Sequence, residues 1–116
     1  MRGEAMDSVL LYQEEVDGDE LRIECVLSDG CVLEVVQEST GPFTSWCFEE
    51  SPHVVQTVFG PDAVGGLLEY FHLEEVDQLL PMIRAAYVGC ESALRLRGLA
   101  RRLGLSYTVY ENDIVR

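Results

Sequence analysis

Cys47 and His53 lie six residues apart. A thiolate beside an imidazole is the simplest nucleophile–base couple. The Ser51-Pro52 break between them gives no periodic reason for contact. His72 falls between two helical patterns, where a cap or packing role is expected before that of a base. Adjacent carboxylates occur at Glu14-Glu15, Glu49-Glu50 and Glu74-Glu75. Glu74 and Asp77, with Gln78 beside them, could hold a divalent ion weakly, but such runs usually face solvent. Cys25, Cys31, Cys47 and Cys90 are separated by five, fifteen and forty-two residues. No C-x2-C pair exists, and the histidines lack zinc-finger spacing. The expectation is four reduced, buried thiols acting as small apolar side chains. Gly65-Gly66 belongs to a helical pattern without GxGxxG or P-loop spacing, and no G-x-S-x-G occurs. Neither metal nor cofactor nor catalytic residue is expected.

The segment "FTSWCFEESPH" concentrates aromatics and acids. Trp46, Phe48, Glu49 and Glu50 form the candidate interaction patch, since aromatics are enriched where partners dock. The competing expectation, and the one favoured, is that Trp46 turns inward and covers one end of the core.

A third candidate is the tail. Leu99-Ala100-Arg101-Arg102-Leu103-Gly104-Leu105-Ser106 resembles the turn of a helix-turn-helix. That motif needs a recognition helix after the turn. Tyr107, Thr108, Val109 and Tyr110 favour a strand instead. Glu111 and Asp113 would repel DNA. The expectation is helix, glycine cap at Gly104, and strand over Tyr107–Tyr110. Arg95, Arg97, Arg101 and Arg102 are then expected around an exposed helix, pairing loosely with acidic surface.

The elements that must position these residues follow from alternation and period. Residues 8–16, 21–27, 31–37 and 53–59 read as strands, separated by Asp-Gly, Ser-Asp-Gly and Gly-Pro turns. For the second hairpin, a loop of Ser28, Asp29 and left-handed Gly30 pairs Leu27 with Cys31, Cys25 with Leu33, and Ile23 with Val35. This puts Cys25, Leu27, Leu33 and Val35 on one apolar face. Arg22, Glu24, Glu34 and Gln37 fall on a wet opposite face. Residues 62–71, 73–87 and 90–104 carry helical periodicity. Pro81 either kinks the second pattern or starts a new helix. The expected fold is α+β in one domain over residues 1–116: an antiparallel meander of about four strands, two or three helices, and a C-terminal strand.

Composition sets the outer bounds. The chain has 116 residues and is 47% hydrophobic, which argues against disorder. No apolar run approaches the ~20 residues of a membrane span. "MRGEAMDSVLLYQEE" lacks a long apolar stretch with a cleavage site, so no signal peptide is expected and the cytoplasm is the expected compartment. All eight basic residues are arginines, against 21 acids, for a net charge of −13. Residues 1–80 hold 18 acids and two arginines, a net of −16. Such a charge repels phosphate backbones and anionic membranes and leaves room for a basic partner; the favoured expectation is that it serves solubility and pairs internally with the Arg-bearing helix.

"GCVLEVVQESTGP", then "VVQTVFGPDAVGGLLEYF", then "ALRLRGLARRLGLSYTVYE" resemble a group of small uncharacterised bacterial α+β proteins. The resemblance spans residues 9–111, with His53 where that group has a tyrosine. It implies the fold and a bacterial origin and carries no activity. The functional expectation is a small acidic, non-enzymatic interaction module, monomeric or homodimeric. An immunity or inhibitor protein facing a basic partner is one concrete form. The alternatives are a small enzyme or ligand-binding domain with a site built from distant residues, and, more weakly, DNA binding through residues 98–116.

Overall fold

Asp17 and Gly18 turn the first hairpin with φ of 53° and 84°. Two positive-φ residues between Val16 and its partner Asp19 make a type I′ turn, whose twist matches that of the flanking strands. The computed structural model describes residues 7–29, 31–48, 51–112 and 114–115. In chain order it contains β1 (Asp7–Val16), β2 (Asp19–Ser28), β3 (Val32–Thr40), α1 (Pro42–Phe48), β4 (His53–Phe59), α2 (Pro61–Tyr70), a 3-10 turn (Val76–Gln78), α3 (Leu79–Ala86), α4 (Ser92–Leu103), β5 (Thr108–Glu111) and a two-residue β6 (Ile114–Val115). The strands form one antiparallel sheet in sequence order. It is a meander with a helical excursion between β4 and β5, so the α+β expectation holds.

Alternation puts one parity of each strand into the core. Ile23, Cys25, Leu27, Leu33, Val35 and Phe59 are buried together with Leu67, Leu79, Ile83, Leu96 and Leu99 of the helices. A bulge at Leu10/Tyr12 leaves Leu11 as the extra residue of β1, and Leu11 is buried. Its carbonyl accepts the Gly89 N–H at 3.1 Å, so the loop after α3 covers part of this edge strand.

The second hairpin keeps the expected face but not the expected pairing. Leu27 pairs with Leu33 and Cys25 with Val35, two residues along from the expected partners. The loop is residues 29–31, closed by Cys31 N–H to Ser28 O at 3.1 Å. A shift of two preserves the side-chain face, which is why burial could not detect it. Asp29 takes φ 54°; the left-handed turn expected of Gly30 lies outside the described residues. Gln37 pairs with Ile23 and so belongs to the core-side parity, not the wet face. Glu24 and Glu34 do lie opposite. Glu34 accepts a hydrogen bond from Gln56 Nε2 at 2.6 Å.

Pro81 sits in the first turn of α3, after the 3-10 turn, and therefore starts a helix instead of kinking one. Gly104 caps α4 with φ 74°. Its N–H and that of Leu105 return to Arg101 O and Ala100 O, a Schellman closure. Residues 108–111 then pair with β4, so no recognition helix follows α4. The strand begins one residue later than expected. Among the described residues no helix is long and apolar enough to cross a membrane.

Candidate functional site

Helix α1 occupies the segment that the sequence left as a short aromatic stretch. Gly41, at φ 119°, turns the chain out of β3, and a Cβ there would collide with the Asp19 carboxylate and the Gly18 carbonyl. Pro42 begins the helix, where its missing N–H costs nothing. Asp19 Oδ1 accepts the N–H groups of Phe43 at 2.9 Å and Thr44 at 3.3 Å. A carboxylate from the start of β2 thus caps a helix more than twenty residues later. Gly41 N–H donates to Ser51 Oγ at 3.1 Å from the far side.

This anchoring buries Thr44 and turns Phe43 and Trp46 outward. Their rings stack with centroids 5.9 Å apart and planes 26° apart. Trp46 is 78% exposed and Phe43 62%. The expectation that Trp46 covers the core is therefore wrong. A helix places residues three apart on the same face, and the Asp19 cap rotates that face to solvent.

Phe43 also walls a groove of about 270 Å³ lined by Glu14, Val16, Asp19, Glu20, Leu21, Ser39, Phe43 and Thr44. The register explains the grouping. Glu14 pairs with Leu21, Val16 with Asp19, and Leu21 with Ser39, so these side chains share a sheet face beyond the end of the core. Tyr12 OH donates to Glu14, and that bond holds the phenol above its usual pKa. Glu20 pairs with Glu15, the other parity, so its carboxylate lies on the opposite sheet face, where Gln13 Nε2 donates to Glu20 Oε2 at 2.6 Å. Asp19 serves the α1 cap. All three carboxylates thus accept from neutral donors, and among the described residues none is paired with an arginine.

No family model, curated protein or solved structure matches this chain.

Of the expected patch, Trp46 is exposed as an interface residue would be; the Phe48 side chain, Glu49 and Glu50 lie outside the described residues. The sequence reading missed Phe43, Asp19 and the groove. A usable signal existed: Gly41-Pro42 followed by aromatics at i and i+3 is a helix start with a one-sided aromatic face.

The other candidates resolve into structural roles. Cys47 is exposed on α1, while His53 is buried and bonds Glu111 Oε2 through Nε2 at 2.8 Å. His72, at φ 59°, takes the left-handed position after α2, with N–H groups of His72 and Leu73 returning to Glu69 O and Leu68 O. Gln78 Oε1 accepts the Glu74 and Glu75 N–H groups, so the "LEEVDQ" acids belong to a capping box. Among the described residues no three His, Cys, Asp or Glu gather to hold a metal. All four cysteines are free thiols, but only Cys25 is fully buried; Cys47 and Cys90 are exposed, against expectation. Burial pushes the Cys25 thiol up to about 12.

The α4 arginines meet the expectation in part: Arg95, Arg101 and Arg102 are exposed, but the bonds that Arg95, Arg97 and Arg101 make go to neutral oxygens. Arg97 is half-buried and donates to Thr57 Oγ1 at 2.9 Å. Burial pushes its pKa down. Arg101 donates to Tyr107 OH at 2.7 Å, and Arg95 to Ala86 O at 3.3 Å, with its guanidinium 5.0 Å from the Tyr87 ring centre. These side chains pin α4 to the sheet and to α3 through neutral oxygens instead of meeting acidic surface. A second cavity, about 320 Å³, lies between the start of α2 and residues 104–106. Neither cavity is lined by Cys47, His53 or His72.

Proposed function

We propose that this protein is a non-enzymatic interaction module that docks a basic segment of a partner protein against α1 and the β1–β2 hairpin. One observation carries the reading: a solvent-facing Phe43–Trp46 stack borders a groove whose Glu14 and Asp19 carboxylates are in no ion pair among the described residues. Exposed aromatics rimmed by polar groups have the composition of a docking centre. The net charge of −13 supplies long-range attraction for a basic partner and repulsion for nucleic acid. The same charge on two copies disfavours self-association through this face. An immunity or inhibitor protein in a bacterial cytoplasm, covering a basic partner, is the concrete form. Four free thiols fit a reducing compartment.

Selection of a displayed random-peptide library on the immobilised protein tests this. Enriched peptides should carry arginine or lysine next to an aromatic or aliphatic residue. Their binding should weaken with salt. It should fall in Phe43→Ala and Trp46→Ala while the melting temperature stays put. Acidic enriched sequences, or binding indifferent to both substitutions, would overturn the reading.

A further inference from the structure

Building on that reading, we propose that the groove beside α1 is the receptor for a single arginine side chain of the partner segment. Its lining matches such a side chain from stem to head. Val16, Leu21 and Phe43 offer apolar surface to the aliphatic stem. Glu14 and Asp19 offer carboxylates to the head. Among the described residues each accepts from neutral donors only, and an ionised carboxylate has about four acceptor sites, so capacity remains for the five N–H groups of a guanidinium. Glu14 and Asp19 stand on neighbouring strands with their side chains on the same sheet face, and a planar fork can address both. The Phe43 ring on the groove wall adds a surface over which a guanidinium packs well. About 270 Å³ is ample for one long side chain.

Arginine is favoured over lysine for two reasons. Its head is more weakly hydrated, so it is less costly to seat beside Val16 and Leu21. It can also bond two carboxylates at once, where an ammonium acts as a point charge. Asp19 acts in two ways, because it holds the Phe43 N–H in place while its charge faces the groove. The aromatic wall and the acidic rim are therefore built by one residue.

The test is a chemical-shift titration at low salt with the capped tripeptide Gly-Arg-Gly and its lysine and norleucine counterparts. The arginine peptide should move the amides of Leu21 and Phe43 in a saturable way, the lysine peptide should bind more weakly, and norleucine should leave them unmoved. Glu14→Gln should weaken arginine binding about tenfold. Glu69→Gln, exposed and outside the groove lining, removes the same charge and should leave binding intact. Equal loss in both variants would show bulk charge attraction and overturn the proposal. So would lysine binding as tightly as arginine, or norleucine moving the same amides. If the arginine peptide leaves the groove unmoved while display-selected peptides still require Trp46, the arginine receptor fails and the docking reading survives. If neither binds, both fail.

Discussion

Replacing Asp19 with alanine should melt α1 while leaving the rest of the sheet in place. Asp19 Oδ1 accepts one short bond from Phe43 N–H, 2.9 Å, and one longer bond from Thr44 N–H, 3.3 Å. Losing a helix cap costs about 0.5–2 kcal/mol, and a hydrogen bond to a charged group is worth about 1.5–3 kcal/mol. The second bond is too long to add much, so about 2 kcal/mol is the expected loss. Little else holds the helix. It has seven residues, far below the ~12–15 needed for a helix to persist alone. Apart from Phe48, whose side chain is not described, only Thr44 among its side chains is buried. The free energy should therefore be lost locally. Native-state hydrogen exchange at residues 43–47 should accelerate about 30-fold, while core amides at Ile23 and Leu33 change far less. Trp46, the one tryptophan, reports the same event through its emission. The melting temperature should fall by no more than about 5 °C. Asp19→Asn, which keeps a neutral acceptor, should lie between the two. Unchanged exchange at 43–47 in Asp19→Ala would refute the capping role, as would core amides accelerating equally.

Gly65→Ala should stabilise the protein by about 1 kcal/mol in urea denaturation, because nothing lies within 4 Å of the added Cβ in α2. Gly66→Ala carries the same helix benefit but puts its Cβ 2.5 Å from Leu105 Cδ2, so forced repacking costing about 1–3 kcal/mol should cancel or reverse it. The buried Cys25 thiol, raised to about 12 from an ordinary value near 9, keeps its proton in the folded state after the unfolded chain has lost it. Stability from this group is complete below pH ~9 and falls at up to about 1.4 kcal/mol per pH unit above it; denaturation curves of Cys25→Ala should show a shallower alkaline slope. A thiol reagent should label Cys47 and Cys90 in the native protein and Cys25 only as fast as the chain opens, and reducing agent should leave the melting temperature unchanged.

Much of the fold was legible from local chemistry. The Asp17-Gly18 turn, the alternation that buries Cys25 and Leu27 with Leu33 and Val35, and the Gly104 cap all depend on residues within a few positions of each other. Side-chain period and left-handed preference are properties of a short segment, and they survive in any fold that uses it. Tertiary structure decided the rest. The hairpin register shifted by two because a period of two cannot distinguish it from the expected pairing. Trp46 faces water because Asp19, from another strand, caps and orients α1. Arg97 points at Thr57 and not at an acid because packing lays α4 on the sheet face that carries Thr57. The groove exists only where β1, β2, β3 and α1 converge, with Glu14, Leu21, Ser39 and Phe43 brought together from separate segments. Composition announced the acidity. Only the assembled sheet and its capped helix could gather Glu14 and Asp19 around apolar surface, because that proximity comes from pairing across strands and is absent from spacing along the chain.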